Sequence, residues 1–172
     1  MIGRLTVIGL GPGDDRYLTP EARLALESAD ALYGYGPYLD RVPEREGQNR
    51  VASGNRVEAN RAQAALCHAE KGAHVAMVSG GDPGVFAMAA AVCAEIEEGP
   101  AAWRALDVQI LPGITAMLAV AARVGAPLGH DFCAISLSDN LKPWGLVEQR
   151  LDAAAAGGFV IAFYNPISTA RP

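Results

Sequence analysis

The sequence predicts an α/β fold in which most strands of the sheet run parallel. Three observations favour this class. Short apolar segments alternate with helical segments, turns rich in glycine and proline follow directly after several apolar segments, and 51% of the 172 residues are apolar. Alternating strands and helices are typical of a parallel sheet that helices cover on both faces. The apolar content is sufficient for a substantial core.

In the first part of the chain, apolar runs predict strands over residues 4–10, 31–33, 74–79 and 107–111. A helix is predicted to begin with Thr19 as N-cap and Pro20 in its first position, and to continue to about Ala29. Further helices are predicted over residues 56–71, which Gly72 would end, and over 86–98. The segment 33–38 is rich in aromatic residues, glycine and proline, and it is predicted to be a loop.

A break at Pro112-Gly113 divides the chain into two predicted lobes. Residues 1–112 would form an N-terminal α/β lobe, and residues 113–172 would begin a C-terminal α/β lobe. The second lobe is predicted to contain helices over 115–124 and 144–156 and strands over 133–137 and 159–163. Two strands are too few for a sheet to bury itself, and the last strand would have an unpaired edge. We therefore expect this lobe to be truncated and to need more polypeptide.

Composition argues against several classes of function. A net charge of -5 and a pI of about 5.1, with no basic block, disfavour binding to nucleic acid. No apolar stretch reaches the roughly 20 residues of a membrane helix. The first residues are typical of a strand rather than of a signal peptide. Cys67, Cys93 and Cys133 are scattered along the chain, which indicates reduced, buried thiols in a cytoplasmic protein. The sequence also contains only three histidines, and neither they nor the cysteines have the spacing of metal ligands, so no metal site is expected.

Two glycine-rich segments, 9–14 and 79–87, each follow a predicted strand. In the second of them, Gly81 permits close approach to the backbone, and Pro83 fixes a backbone dihedral. Ligands of open α/β sheets bind at the carboxyl ends of strands. The two segments together therefore predict a ligand site.

The spacing of glycines disfavours a dinucleotide as the ligand. Counted from Gly9, the third glycine of a G-x-G-x-x-G fingerprint would fall at Asp14, whose carboxylate would repel a pyrophosphate. A P-loop is excluded because no Gly-Lys-Ser/Thr follows. A ligand without phosphates, held by backbone groups and carboxylates, is the other candidate. S-adenosylmethionine fits this description.

Four motifs make the resemblance specific: residues 8–14 (IGLGPGD), 79–86 (SGGDPGVF), 112–116 (PGITA) and 125–132 (GAPLGHDF). In this order they resemble the tetrapyrrole (class III) methyltransferases, and the resemblance covers essentially the whole chain. Within that family, the chain is most similar to members that methylate carbon 17 of precorrin-3B. Five further segments point to them: 38–40, 55–59, 130–139, 143–144 and 163–166.

The resemblance implies a two-lobed tetrapyrrole methylase fold with S-adenosyl-L-methionine between the lobes. It implies that carbon 17 of precorrin-3B attacks the methyl group and that the macrocycle contracts to precorrin-4, a step of cobalamin biosynthesis. It also implies a cytoplasmic homodimer with a tetrapyrrole substrate and no nucleic-acid or membrane partner. Two alternatives stay open: another precorrin or cobalt-precorrin methyltransferase of the family, and a truncated, non-catalytic adenosylmethionine-binding module.

Seven residues are carried over from the family as contacts of adenosylmethionine, and four of them also have a simpler interpretation. Gly81 and Pro12 would also suit a plain turn, Asp82 would also suit the N-cap of the following helix, and Thr115 would also suit an N-cap. The predicted cofactor-binding residues are Pro12, Gly81, Asp82, Val85, Thr115, Ala116 and Tyr164.

The hypotheses for proton transfer are Asp14, His130 and Asp131. Asp14 would either close an Asx-turn or face the substrate. His130 and Asp131 would form either a turn with a salt-bridged imidazole or, with Ser136 and Asp139, a proton-transfer set. A precorrin carries many carboxylates, so an acidic protein needs local cations to bind it. The candidates for that role, most of them expected to be solvated, are Arg50, Arg56, Arg61, Lys142 and Arg171.

Overall fold

The computed structural model describes residues 3–55, 57–139 and 142–167 of the chain. These residues belong to two compact units, one of which ends at Ala116 and the other of which begins at Met117. None of the helices in the described ranges is both long enough and apolar enough to cross a lipid bilayer.

The first unit is built on a parallel sheet of five strands. In chain order the strands are β1 (Arg4–Gly9), β2 (Ala31–Tyr35), β3 (Asn49–Ser53), β4 (His74–Ser79) and β5 (Asp107–Leu111). Their order across the sheet is β3-β2-β4-β1-β5. In register, Leu5 of β1 lies between Val75 of β4 and Val108 of β5. The predicted α/β class with a mostly parallel sheet is confirmed.

Helices cover both faces of this sheet. They are α1 (Pro20–Ser28), α2 (Gly36–Leu39), α3 (Glu58–Glu70) and α4 (Met88–Glu98), with short 3-10 helices at Asp15–Tyr17 and Ala101–Ala105. Helix α1 begins as predicted, because Thr19 Oγ1 accepts a hydrogen bond from the amide of Ala22 at 3.2 Å. Pro20 occupies its first turn, where a missing amide hydrogen costs nothing.

The core has two layers because successive side chains of a strand point to opposite faces. Leu5 and Val7 of β1 pack on one face with the buried residues of α3 and α4. Ile8 points to the other face and packs with the buried residues of α1. Most buried side chains of β1 and β4 are apolar on both faces, with Thr6 and Ser79 as the buried polar exceptions, and this is typical of parallel strands buried on two sides.

Three local predictions for this unit were wrong or incomplete. The sequence did not predict strand β3. It pairs only with β2, its residues are exposed or half-buried without a regular alternation, and its sequence, NRVAS, is mostly polar. The segment predicted as a loop continues β2 to Tyr35 and then forms α2, with Pro37 in its first turn. Helix α4 begins at Met88 instead of residue 86.

The prediction of buried cysteines was also wrong for two of the three. Cys67 and Cys93 are exposed, and Cys133 is half-buried; all three thiols are free. The reason is helical periodicity, since α3 and α4 turn alanine, leucine and valine toward the sheet and these two cysteines away from it.

The second unit contains a pair of parallel strands and one long helix. Helix α5 (Ala116–Val124) leads into it, followed by β6 (Phe132–Ser136), α6 (Trp144–Ala156) and β7 (Val160–Tyr164). Phe132 lies opposite Val160 in the register of β6 and β7. Helix α6 buries Val147 and Ala154.

Candidate active site

The carboxyl ends of β4, β1 and β5 lie side by side in the first unit. After β1 the chain moves toward the β3 edge of the sheet to form β2, whereas after β4 it moves toward the opposite edge to form β5. Such a reversal between neighbouring strands is where open α/β sheets bind ligands. Three loops begin here: the first loop (residues 10–14), the second loop (80–87) and the third loop (112–115).

The first and second loops are joined by a two-residue antiparallel bridge. The amide of Gly11 donates to the carbonyl of Gly81 at 3.1 Å, and the amide of Gly81 donates to the carbonyl of Gly11 at 2.9 Å. Both residues have positive φ, 69° and 67°. Residues with a side chain rarely adopt this conformation, so the bridge requires glycine at both positions.

The third loop packs directly against this bridge. A Cβ atom added to Gly113 would lie 2.2 Å from the carbonyl oxygen of Gly81 and 2.9 Å from Cα of Gly9. Both neighbours are backbone atoms, which cannot move aside as a flexible side chain would. The three loops therefore form one junction of backbone groups in mutual contact.

Asp82 ties the second loop to the third. Its Oδ1 accepts a hydrogen bond from the amide of Gly84 at 2.8 Å, and its Oδ2 accepts one from the amide of Gly113 at 3.0 Å. The carboxylate thus caps a turn within its own loop and not the following helix, whose N-cap position is Ala87. The interpretation of Asp82 as a helix cap was wrong; its contact with a ligand stays a prediction.

The junction brings several of the predicted cofactor-binding residues together. A Cβ atom on Gly81 would lie 3.8 Å from Cα of Thr115 and 3.8 Å from the amide nitrogen of Ala116. Thr115 is buried. Val85 donates its amide to the carbonyl of Asp82 at 3.2 Å, and Pro12 follows Gly11 in the first loop as a half-buried residue. Their roles in cofactor binding stay predictions.

Asp14 closes a turn at the end of the first loop. Its Oδ1 accepts hydrogen bonds from the amide of Arg16 at 2.9 Å and from Nε of Arg16 at 3.0 Å. It thereby caps the 3-10 helix Asp15–Tyr17. The hydrogen bond to Asp14, and then its negative charge, raise the pKa of the Arg16 guanidinium. The Asx-turn interpretation describes this geometry, and a role of Asp14 toward substrate stays a prediction.

The structure adds one residue that the sequence did not suggest. Nη2 of Arg41 donates to three carbonyl oxygens of the first loop, those of Leu10 at 2.8 Å, Gly11 at 3.1 Å and Gly13 at 3.0 Å. Arg41 directly follows segment 38–40, which served only as a marker of the family resemblance and suggested no role for its neighbour. No sequence pattern predicts that a side chain will reach backbone carbonyls about 30 residues away.

Arg50 and Arg61, two candidate cations for substrate, have structural roles. Arg50 donates to the carbonyls of Leu39, Val42 and Pro43. Arg61 is buried, donates to Ser53 Oγ at 2.6 Å and to the carbonyl of Gly54 at 2.6 Å, and has its pKa lowered chiefly by burial.

Of the three remaining candidate cations, one lies in the second unit and two lie outside the described residues. Lys142 donates to the carbonyl of Ser138 at 2.7 Å. Arg56 and Arg171 lie outside the described residues.

The candidates in the second unit lie at the ends of its two strands. His130 and Asp131 are exposed immediately before β6, and the carbonyl of Asp131 accepts from the amide of Val160 at 3.0 Å. Ser136 Oγ accepts from Nδ2 of Asn165 at 3.0 Å. Tyr164 ends β7, and its hydroxyl accepts a hydrogen bond from the amide of Met117 at 3.1 Å. The proposed catalytic and cofactor roles of these residues stay predictions.

In the part of the chain that the structure describes, no three histidine, cysteine, aspartate or glutamate side chains cluster to form a metal site.

Comparison with known proteins places this geometry in a family. The model of the family "Tetrapyrrole (Corrin/Porphyrin) Methylases" matches residues 4–171. A precorrin-3B C(17)-methyltransferase of Sinorhizobium sp is 63% identical over 172 residues, which are 100% of this chain and 68% of that protein. The crystal structure of the methyltransferase CobJ superimposes with a TM-score of 0.95 and 54% identity, over 99% of this chain and 71% of that one.

A more distant structure shows the same fold with a ligand. It is uroporphyrin-III C-methyl transferase from Thermus thermophilus, complexed with S-adenyl homocysteine. It matches with a TM-score of 0.59 and 28% identity, over 78% of this chain and 59% of that one. The family expected from the four sequence motifs is thereby confirmed: this chain belongs to the tetrapyrrole (corrin/porphyrin) methylases.

Proposed function

We propose that this chain carries out the S-adenosylmethionine-dependent methylation of carbon 17 of precorrin-3B, with contraction of the ring to precorrin-4, in cobalamin biosynthesis. The observation that carries the proposal is the junction of three loops at the carboxyl ends of β4, β1 and β5. It is supported by 63% identity to the Sinorhizobium enzyme of that activity.

The chemistry of the junction suits a cofactor without phosphates. Backbone groups and small residues dominate it, and the carboxylates of Asp14 and Asp82 lie in its loops. Carboxylates oppose a pyrophosphate but are compatible with a sulfonium cation and with ribose hydroxyls. We assign adenosylmethionine to the residues named for it above: Pro12, Gly81, Asp82, Val85, Thr115, Ala116 and Tyr164.

When bound, adenosylmethionine supplies a methyl group that is already activated by its sulfonium, so the protein needs no nucleophile of its own. The task of the chain is to hold the two reactants in line and to exclude water. Positioning of this kind supplies roughly 7–11 kcal/mol of a reaction barrier. The mutual hydrogen bonds of Gly11 and Gly81 join the first and second loops, which favours such positioning. Ring contraction also needs proton movement, for which we propose Asp14, His130 and Asp131 as the groups to test.

We further propose that the protein is a cytoplasmic homodimer. Three free thiols suit a reducing compartment. The dimer follows from the family resemblance, and analytical ultracentrifugation at several concentrations tests it. A single species with the mass of one chain at every concentration would contradict it.

Calorimetric titration tests the cofactor. Adenosylhomocysteine should bind at one site per chain. NADH and ATP should show no saturable binding, because the loops of the junction lack a phosphate-binding motif. Saturable binding of NADH or ATP without binding of adenosylhomocysteine would overturn the assignment.

Turnover tests the reaction. With adenosylmethionine and precorrin-3B, mass spectrometry should detect a product heavier by one methylene unit, together with adenosylhomocysteine. A parallel assay with the cobalt-containing intermediate should give less product. The reverse preference would reassign the chain to cobalt-precorrin methylation, and binding of adenosylhomocysteine without turnover of either substrate would indicate a binding module.

A further inference from the structure

The guanidinium of Arg41 is held among backbone carbonyls. Its Nη2 donates to the carbonyls of Leu10, Gly11 and Gly13 at 2.8–3.1 Å, and its Nε is buried without a hydrogen-bond partner in the described ranges. In those ranges, no carboxylate lies within ion-pair distance of Arg41; the ion pairs there are Arg4 with Asp107 and Arg16 with Asp14. The hydrogen bonds of Arg41 to the first loop are of the stronger, charge-assisted kind.

Two peptide groups transmit this contact to the second loop. The carbonyl of Gly11 accepts from Arg41 at 3.1 Å and also from the amide of Gly81 at 2.9 Å. The peptide that joins Leu10 to Gly11 presents its carbonyl to Arg41 and its amide to the carbonyl of Gly81. Because a peptide group is planar, fixing its carbonyl also fixes the direction of its amide. Arg41 thus orients both hydrogen bonds of the bridge.

A second arginine holds the segment that carries Arg41. Arg50, on the edge strand β3, donates to the carbonyls of Leu39, Val42 and Pro43, which flank position 41 on both sides. Arg50 of β3 therefore holds the segment 39–43 in place, and Arg41 of that segment in turn holds the first loop.

We propose that Arg41 is a positioning residue of the active site, which sets the first loop and its bridge to the second loop in the conformation that binds the cofactor. The inference rests on the proposed function for its consequence in binding, while the contact itself is independent of any ligand. A guanidinium is planar and delocalised, whereas an ammonium is a compact charge, so Arg41→Lys changes the geometry of this contact while keeping the charge.

The test compares three variants with the parent protein. Arg41→Met keeps much of the apolar stem and removes every donor, and Arg41→Lys keeps the charge as a single point. Arg23→Met is the matched control, because Arg23 is an exposed residue of α1 that borders the same surface depression as Arg41. Two quantities are measured well below the melting temperature of each variant: hydrogen exchange at the amides of Gly11 and Gly81, and the Kd of adenosylhomocysteine.

In Arg41→Met, exchange at Gly11 and Gly81 should accelerate about 10- to 100-fold, with exchange in β1 and β4 unchanged, and the Kd should rise by a similar factor. Arg41→Lys should recover part of both effects, and Arg23→Met should match the parent. A merely structural role would lower the melting temperature while leaving the Kd of the folded variant at the parent value.

Unchanged hydrogen exchange at the amides of Gly11 and Gly81 in Arg41→Met would overturn the proposal, whether or not the Kd of adenosylhomocysteine changes. Faster exchange with an unchanged Kd would show that the bridge does not matter for binding, and would equally overturn it. If the parent protein itself fails to bind adenosylhomocysteine, the proposed function fails. The positioning of the loop is then still decided by the exchange rates.

Discussion

The carboxylate of Asp82 accepts a hydrogen bond of 3.0 Å from the amide of Gly113, which lies 31 residues further along the chain. Its other oxygen accepts from Gly84 at 2.8 Å. One side chain thus satisfies backbone amides of two loops that follow different strands. This relationship makes Asp82 a link within the site, in addition to any contact with a ligand.

Replacing Asp82 separates these two roles. Asp82→Ala removes both acceptors and leaves the amides of Gly84 and Gly113 without this partner. We expect the free energy of unfolding to fall by roughly 1.5–3 kcal/mol, measured by urea denaturation, and adenosylhomocysteine to bind more weakly. Asp82→Asn keeps one acceptor oxygen and should be intermediate in stability. If Asp82→Asn is as stable as the parent but loses binding, the negative charge contacts the ligand directly. An Asp82→Ala variant of unchanged stability would show that the link contributes nothing.

Gly113→Ala tests the contact between the loops. The new methyl group would lie 2.2 Å from the carbonyl oxygen of Gly81, so the second and third loops must separate. Overpacking of this kind costs about 1–3 kcal/mol, and the displaced loops should also bind adenosylhomocysteine more weakly. The matched control is Gly13→Ala, because a Cβ at Gly13 meets nothing within 4 Å. Its unfolding free energy should stay within about 0.5 kcal/mol of the parent value. Equal stability of the two variants would contradict the close packing.

Arg61 is predicted to stabilise the fold without taking part in binding substrate. Arg61→Met leaves Ser53 Oγ and the carbonyl of Gly54 without their donor. Thermal and urea denaturation should show a loss of about 1–3 kcal/mol, whereas the KM for the tetrapyrrole should not change in the folded enzyme. Arg45→Met, at an exposed position, serves as the control and should leave stability nearly unchanged. A raised KM with unchanged stability would restore Arg61 as a contact of substrate carboxylates.

Stability at alkaline pH should depend on Tyr33. Burial, and then the charge of Cys67, raise the pKa of its hydroxyl above the ordinary value of 10.0. The folded protein therefore holds this proton more tightly than the unfolded chain does. The resulting contribution to stability is complete below pH 10.0 and is lost as the pH rises through the raised pKa. Tyr33→Phe should show a shallower fall of the unfolding free energy above that pH, although it also loses the 3.2 Å hydrogen bond to His68. Parallel curves for variant and parent would refute this account.

The sequence predicted the structure well where the type of each residue matched its surroundings in the fold, with apolar residues in buried strands and glycines at positive φ. Strands β1 and β4 are mostly apolar on both faces because helices cover both, so apolar residues dominate their sequences. The loops at their ends were evident because Gly11 and Gly81 adopt positive φ, which glycine supplies at little cost. The family followed from the order of these loops along the chain.

What the sequence did not reveal depends on contacts between distant residues. Strand β3 is an edge strand whose half-exposed residues have no apolar pattern. The roles of Arg41 and Arg50 arise only when the fold brings their guanidinium groups to carbonyls of other segments. Asp82 shows the same limit: its type favoured a cap, but its second partner, Gly113, belongs to another strand's loop.

The place of β1 in the sheet has a consequence for how the protein is made. Arg4 of β1 pairs with His74 on one side and with Asp107 on the other. During synthesis, β1 leaves the ribosome before the other strands of this unit, and β4 and β5, which cover its two edges, follow only after most of the unit has been made. Contacts of such long sequence separation are slow to form, and an exposed apolar strand is prone to aggregate in the meantime. We expect the nascent chain to need a chaperone until residue 111 has emerged, and the binding junction to be among the last features to appear.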